Sequence, residues 1–122
     1  MESMIVTIQP FDAEEPAPYP EESSGDVEYH FHILKDVERA GYLCIQDYGD
    51  GVCNSYLRIL KEYRGKVFSR KFLAFIFNFP FTLGFKEVWT NTTWNSWARI
   101  LKKFGFEEFF LYNDVKWFRK VI

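Results

Sequence analysis

A basic segment in the middle of the chain has the residue types of an anion-binding site. Arg64, Lys66, Arg70 and Lys71 surround Gly65, at a point where a strand pattern gives way to a helical one. A strand-to-helix turn presents unpaired backbone N–H groups at the positive end of the helix dipole, which favours a phosphate or a diphosphate. The same residues would equally form a solvated basic turn that opens a helix. Both interpretations stay open on these residues alone.

A second set of polar residues alternates along one predicted strand. Glu28, His30 and His32 point to one face of that strand and could together bind a metal ion. Two histidines and a carboxylate without a ligand from another element do not define a site, so we predict the polar side of a sheet and no metal. Cys44 and Cys53 have no His or Cys partner at metal-ligand spacing and are too few for a disulfide scaffold. We expect both to be buried free thiols.

The aromatic content suggests a third kind of chemistry. Aromatic residues make up 20% of the chain, with 14 Phe and 4 Trp, and aromatic rings beside Lys and Arg can stack on single-stranded nucleic acid. The spacing of Phe68, Phe72 and Phe75 by four and three residues instead indicates the buried face of a helix. The better surface candidates, for nucleic acid or for a protein interface, are three tryptophans: Trp94, Trp97 and Trp117.

Composition and charge describe the molecule that must position these residues. The chain has 122 residues, 48% hydrophobic and 26% charged, which is typical of one globular domain over residues 1–122. Residues 1–50 carry 12 acidic and 2 basic side chains, whereas residues 51–122 carry 5 and 13. The C-terminal half therefore offers a basic surface to an anionic ligand or partner, unless the acidic half folds over it.

No segment has the pattern of a secretion signal or a membrane span. The first residues lack a basic start followed by a cleavable apolar run, so we expect a protein of the cytoplasm. The longest mainly apolar stretch, residues 72–85, has 14 residues and contains Asn78 and Pro80. It is too short for a bilayer of about 30 Å, and we interpret it as a core helix.

Periodicity and turn residues predict the order of the elements. Residues 12–26 are acidic and proline-bearing and should form a loop. A main helix should run from residue 68, with Pro80 causing a kink or an early end before Gly84. A second helix should extend from Trp94 to Gly105 and carry Asn95 as a cap. The predicted strands are residues 4–8, 27–33, 42–48, 52–60, 85–90, 106–112 and 115–121.

This order of elements resembles the GNAT superfamily of acyl-CoA-dependent N-acetyltransferases over about residues 27–122. Two motifs carry the resemblance, Glu62-Tyr63-Arg64-Gly65-Lys66 before the main helix and Ile100-Leu101-Lys102-Lys103-Phe104-Gly105-Phe106 at the end of the next. The resemblance implies an α/β (α+β) fold with a curved, mostly antiparallel mixed sheet, and acetyl-CoA or CoA as cofactor. The implied cofactor-binding residues are Arg64, Gly65, Lys66, Val67, Phe68, Ser69, Arg70 and Asn91.

The chain departs from the family pattern at positions that matter for catalysis. Val67 and Ser69 stand where small residues, usually glycine, let the phosphates approach the backbone. Leu101 stands where a Tyr usually protonates the departing thiolate. The fourth strand has no carboxylate to take a proton from the attacking amine, so Asp47, Glu62 or a water would have to serve.

The short acidic segment at residues 12–26 also replaces the helices that wall the acceptor site in the family. In these losses the chain looks similar to small degenerate GNAT-like proteins of tailed phages, some of them carried in virions. We therefore expect an eroded, weakly active or non-catalytic site on a protein-binding module, with a protein partner or a second copy on its aromatic and basic surface. The alternatives are an active acetyl-CoA-dependent N-acetyltransferase and, third, a nucleic-acid-binding protein that uses the basic half.

Overall fold

One mixed sheet with two helices organises the molecule. The computed structural model describes residues 6–12, 27–63 and 69–122. Within them the sheet has the strand order β1-β2-β3-β4-β5-β7-β6, and β4 with β5 is its parallel pair. The predicted α+β fold with a mostly antiparallel sheet is confirmed. The elements are β1 Val6–Pro10, β2 Val27–Lys35, β3 Glu38–Gly49, β4 Val52–Ile59, a short 3-10 helix Lys61–Tyr63, α1 Arg70–Thr82, β5 Glu87–Thr92, α2 Asn95–Lys103, β6 Glu107–Tyr112 and β7 Val115–Val121.

Turn chemistry defines two hairpins where the sequence predicts them. Asp50 and Gly51 between β3 and β4 have φ of 56° and 79°. Asn113 and Asp114 between β6 and β7 have φ of 49° and 66°. Positive φ at both central residues matches the right-handed twist of the flanking strands, which is why Asn, Asp and Gly are favoured there.

Helix α1 has a defined signal at each end. Ser69 is the N-cap, and its hydroxyl accepts a hydrogen bond from the Phe72 N–H at 3.0 Å. At the other end Gly84, with φ of 101°, lets the chain reverse while the Phe85 N–H donates to the Pro80 carbonyl. Pro80 lies inside the last turn and the helix ends two residues later, at Thr82. The predicted early end before Gly84 is confirmed.

The two faces of the sheet differ in what they bury. One face, called here the apolar face, packs against both helices, as the perpendicular contact of Phe31 with Phe79 on α1 shows. Both crossovers, β4-α1-β5 and β5-α2-β6, move in the same direction along the sheet, so right-handed connections put both helices on one side. The core on this side comprises Ile33, Leu43, Ile45, Cys53, Ile59, Val88 and Phe118 from the sheet, with Phe72, Leu73, Ile76 and Phe77 from α1 and Ala98 and Leu101 from α2.

The opposite face, called here the polar face, is also buried over much of β2, β3 and β4. Its cross-strand neighbours are His30 with Cys44 and Gln46 with Asn54. The side chains of Gln46 and Asn54 are buried and joined by a hydrogen bond of 2.9 Å from Nδ2 to Oε1. These two amides are therefore paired with each other across the strands rather than solvated.

Strand β2 departs from the simple expectation that its apolar residues are the buried ones. Phe31 and Ile33 are buried as predicted, but Val27 and Tyr29 are exposed, whereas Glu28 and His30 are half-buried. Phe31 reaches α1, while Val27 lies at the end of the sheet opposite Asp47. At this end of β2 the polar side chains are therefore more buried than the apolar ones.

Candidate functional site

An opening in the sheet lies where β4 and β5 part. Their parallel register runs through three pairs, Val52–Glu87, Cys53–Val88 and Asn54–Trp89. Beyond Asn54, β4 continues to Ile59 beside β3, and β5 continues to Thr92 beside β7. The two strands therefore diverge in the middle of the sheet and leave a V-shaped gap.

This gap is a cleft of about 860 Å³ beside helix α1. Such a volume lies in the range of small-molecule and cofactor sites. Its walls include Ser55, Tyr56, Leu57 and Arg58 on β4; Thr90, Asn91 and Thr92 on β5; Ile76, Phe77 and Pro80 on α1; Trp94 and Trp97 at the start of α2; Gln46 and Tyr48 on β3; and Val115 and Trp117 on β7. A parting of two strands exposes the edges of both, so backbone amides and apolar side chains line one cavity.

Several residues selected from the sequence meet at this cleft. Asn91 lines it from β5, half-buried, as would suit a cofactor contact. Trp94, Trp97 and Trp117 also line it, although the sequence suggests them only as surface residues. Trp94 is 65% exposed and fits that expectation, whereas the other two are half-buried.

The cleft contains few groups able to move a proton. Among its described lining residues none is a carboxylate or a histidine, and the ionisable ones are Tyr48, Tyr56 and Arg58. Burial and the hydrogen bond to Cys44 raise the pKa of the Tyr56 phenol well above its usual range, so Tyr56 stays protonated at neutral pH. Tyr56 can donate a hydrogen bond here, and it does not act as a base.

The two candidate bases lie elsewhere. Asp47 is half-buried near the end of β3, where its Oδ1 accepts a hydrogen bond of 2.8 Å from the Gly49 N–H. Glu62 is exposed on the short 3-10 helix. Neither lines the cleft.

The basic junction is described only at its C-terminal side. Arg64, Gly65, Lys66, Val67 and Phe68 lie outside the described residues, as does the acidic segment beyond Asp12. Ser69 caps α1, and Arg70 and Lys71 begin its first turn, both exposed and without an acidic residue beside them in that turn. The positive charges of Arg70 and Lys71 are unfavourable at the positive end of the helix dipole. A bound anion would offset this unfavourable interaction.

The structure defines the roles of two α2 residues that the sequence analysis singled out, Leu101 and Asn95. Leu101 is fully buried in the core and does not line the cleft, so the position lost from the family pattern points away from the cavity. The predicted cap at Asn95 is wrong, because the N-cap is Trp94 and Asn95 Oδ1 accepts a hydrogen bond of 2.7 Å from Lys116. The Thr92 hydroxyl accepts from the Trp94 N–H at 3.0 Å and turns the chain before the helix instead.

A second group of chemically active side chains lies on the polar face. Glu28 Oε2 is 3.5 Å from His30 Nε2 and accepts a hydrogen bond of 3.7 Å from the Cys44 thiol. Tyr56 donates to Cys44 and also lines the cleft. Burial raises the pKa of Cys44 to about 11, and both Cys44 and Cys53 are free thiols, as predicted. A protonated thiol is a poor nucleophile, so Cys44 is not activated for covalent catalysis.

His32, the third member of the predicted polar set, does not join this group. Its ring stacks on Phe11 with the centroids 3.9 Å apart, and it is 7% exposed. Cys44 takes its place because the β2–β3 register puts it opposite His30. Sequence reasoning missed this neighbour because it needs the register of two strands, and it missed Tyr56 for the same reason.

Comparison with known proteins bears on the fold. No protein-family model and no curated protein sequence matches the chain. Among solved structures, a GNAT family acetyltransferase from Elizabethkingia anophelis with acetyl-CoA bound is similar, with a TM-score of 0.73, 11% identity, and 96% of this chain and 98% of that chain covered. A dodecameric spermidine N-acetyltransferase from Vibrio cholerae in an intermediate state is also similar, with a TM-score of 0.70, 16% identity, and 95% and 93% covered.

These similarities show that the chain has the fold of GNAT acetyltransferases. The likeness to phage proteins stays a prediction. Within the described part of the chain, neither helix has the length and apolar character needed to cross a membrane.

Proposed function

We propose that this chain, which has the GNAT fold, binds acyl-CoA in the cleft between β4 and β5 and has little acetyltransferase activity. The observation that carries the proposal is the end of the β4–β5 ladder at Asn54, which opens a cleft lined by strand edges beside α1. A pantetheine arm carries two amides and fits between two parted strands, since it can exchange hydrogen bonds with backbone groups as a third strand would.

The residues of the cleft and of the start of α1 fit the two parts of such a ligand, the pantetheine arm and the diphosphate. Asn91 would contact the pantetheine amides from β5, and Ile76, Phe77 and Pro80 of α1 offer apolar contacts to its methylene groups. The basic start of α1, with Arg70 and Lys71, would hold the diphosphate together with Arg64 and Lys66. The bound thioester would supply an activated acyl carbon.

The weak activity follows from the residues that line the cleft. An amine must lose a proton before it attacks a thioester, and no described residue of the cleft is a carboxylate or a histidine. Among the described residues of the cleft, Tyr48 and Tyr56 carry phenol protons that could pass to a departing thiolate, and Tyr56 is protonated at neutral pH. Transfer would therefore depend on amine molecules already neutral in solution.

Binding is tested by titrating the full-length protein with acetyl-CoA and following tryptophan fluorescence, since Trp97 and Trp117 line the cleft. We expect saturable quenching with a dissociation constant below the millimolar range. Ser55→Tyr, which places a ring between the strands, should weaken binding at least 10-fold. Ser96→Tyr is the matched control, because Ser96 is exposed on α2 and lies outside the cleft lining. No saturable signal at millimolar acetyl-CoA, or equal affinity in both variants, would overturn the proposal.

Activity is tested separately by thiol release from acetyl-CoA in the presence of spermidine, the kind of acceptor named for one similar structure. We expect turnover far below the rate of about 1–1,000 s⁻¹ that is typical of enzymes. Tyr56→Phe should lower any residual rate and leave acetyl-CoA binding intact. Turnover above about 1 s⁻¹ would contradict the eroded site and favour the active enzyme.

A second function, protein binding, is favoured by the outer strand β6. Phe110, Leu111 and Tyr112 are each more than half exposed, and the rings of Phe110 and Tyr112 stack at 6.3 Å. β6 is the last strand of the sheet and presents an edge that can pair with another chain. One similar structure is a dodecamer, so self-association is the first case to test. Leu111→Lys should reduce the mass measured by light scattering, whereas an unchanged monomer in both proteins would exclude an oligomer through β6.

A further inference from the structure

Three side chains of different ligand types converge on the polar face. Glu28 and His30 extend from β2, and Cys44 extends from β3 as the cross-strand neighbour of His30. One ligand atom from each of the three lies within 4.8 Å of the others. A carboxylate oxygen, an imidazole nitrogen and a thiol sulfur therefore occupy one small volume.

The separations within the group are close to those of a metal centre. Glu28 Oε2 lies 3.5 Å from His30 Nε2 and 3.7 Å from Cys44 Sγ. Ligands bound to zinc at about 2.0–2.3 Å with tetrahedral angles lie about 3.3–3.6 Å apart. Glu28 is thus already at ligand spacing from both partners, and the ligand atoms of His30 and Cys44 lie within 4.8 Å of each other.

The group is also electrostatically incomplete. The Glu28 side chain is 8% exposed, and within residues 6–12, 27–63 and 69–122 neither its buried Oε1 nor the buried His30 Nδ1 has a hydrogen-bond partner. Among the described residues no Lys or Arg pairs with this carboxylate. A carboxylate taken out of water needs a cation or several donors, and here it has a histidine and a weak thiol donor.

We propose that Glu28, His30 and Cys44 form a binding site for Zn²⁺, with a fourth position left to solvent. The donor set selects the ion, because zinc accepts sulfur, nitrogen and oxygen ligands together, whereas Mg²⁺ and Ca²⁺ require oxygen. On binding, the Cys44 proton leaves to solvent and the thiolate sulfur coordinates the ion. The sequence predicted no metal because no ligand from a second element could be identified, and Cys44 on β3 is that ligand.

This inference does not depend on acyl-CoA binding. The zinc ligands do not line the cleft, although Tyr56 touches both regions through its hydrogen bond to Cys44. Zinc binding and acetyl-CoA binding are therefore measured independently, and either one can fail alone.

The test uses the full-length protein after removal of metal with a chelator, titrated with ZnCl₂ in competition with a chelating indicator. We expect one Zn²⁺ per chain and a higher thermal unfolding midpoint when zinc is present. CoCl₂ should give the absorption bands of tetrahedral cobalt together with a thiolate-to-cobalt charge-transfer band. Cys44→Ser should remove that band and weaken zinc binding at least 100-fold.

Matched controls come from the neighbours of the site. Cys53→Ser changes the other buried thiol, which lies on the apolar face, and His32→Gln changes the other histidine of β2. Both should keep the stoichiometry and the affinity for zinc within about 3-fold. Glu28→Gln, which preserves the shape of the side chain, should weaken binding at least 10-fold and serves as the second variant if Cys44→Ser fails to fold.

Three results would overturn the proposal. The first is the absence of stoichiometric zinc binding at micromolar concentration in the unmodified protein. The second is binding that Glu28→Gln and Cys44→Ser leave unchanged. The third is a loss in His32→Gln as large as the loss in His30→Gln, which would assign the ion to the two histidines.

Discussion

The two faces of the sheet over β2, β3 and β4 are built from alternating residues of the same strands, yet they bury different chemistry. The apolar face buries Ile33, Leu43 and Ile45 under α1, where stability depends on shape and contact. The polar face buries Glu28, His30 and Cys44, where stability depends on whether each polar atom has a partner. Burial on the apolar face can therefore be predicted from residue type. On the polar face, whether a buried group is stable can be predicted only when its cross-strand neighbours are known.

The largest expected difference between the faces is in stability. Ile33→Ala removes a side chain with no exposed surface and should lower the free energy of unfolding by about 3–4 kcal/mol. His30→Ala on the same strand should lower it by less, about 1–2 kcal/mol, because the contact it loses is the one from Nε2 to the Glu28 carboxylate, while its Nδ1 has no partner among the described residues. Urea unfolding in the presence of a chelator measures both. Equal losses would show that the polar face is packed as tightly as the apolar one.

A smaller effect on stability is expected at alkaline pH. It arises from the ionisation of Cys44 on the polar face and of Cys53 on the apolar face. Burial raises the pKa of Cys44 from 9.0 to about 11 and that of Cys53 from 9.0 to about 12. Above pH 9 the thiols of the unfolded chain ionise while those of the folded chain do not, so stability falls as pH rises. By pH 10 each thiol should account for a loss of about 1.4 kcal/mol.

Urea unfolding between pH 8 and pH 10 measures this loss. The single variants Cys44→Ala and Cys53→Ala should each remove half of it, and the double variant should remove both contributions. If the free energy of unfolding of the double variant falls with pH as steeply as that of the unmodified protein, other groups cause the pH dependence.

The smallest effect concerns the buried amide pair of the polar face. Gln46 and Asn54 share a hydrogen bond of 2.9 Å, and a double-mutant cycle with Gln46→Ala and Asn54→Ala should give a coupling energy of about 1 kcal/mol. The same cycle between Gln46 and Ile33, on opposite faces, should give a coupling near zero. If both couplings are alike, the faces do not behave as separate layers.

Much of the fold could be predicted because its signals are local. The Asp50-Gly51 and Asn113-Asp114 turns adopt the positive φ that their residue types favour. Ser69 and Gly84 mark the beginning and the end of α1 by hydrogen bonds to residues within five positions. Such features need no knowledge of distant parts of the chain.

The polar cluster could not be predicted, because it depends on one extra residue in β3. The β2–β3 register passes from Leu34–Arg39 to Ile33–Gly41, so Ala40 has no opposite residue. Without this bulge His30 would face Leu43 and Cys44 would face Tyr29. A shift of one residue exchanges the faces of a strand, so alternation along β2 alone could suggest His32 but could not place Cys44 beside His30.

The cleft was expected only through the family resemblance. Val52 to Leu57 have the pattern of an ordinary strand, and nothing in the types of these residues indicates that pairing with β5 ends at Asn54. Trp97 has helical spacing to Leu101, yet Trp97 lines the cleft and Leu101 lies in the core. The angle at which α2 crosses the sheet decides this, and that angle is a property of the whole packing.

The short ladder between β4 and β5 has a mechanical consequence. In the part of the chain that the structure describes, three residue pairs join a half-sheet of four strands to a half-sheet of three. A strand pairing of three residues resists bending less than the longer pairings on either side of it. The direct pairing of the two halves is therefore weakest at Val52 to Asn54, and a molecule bound in the opening would add contacts to both halves.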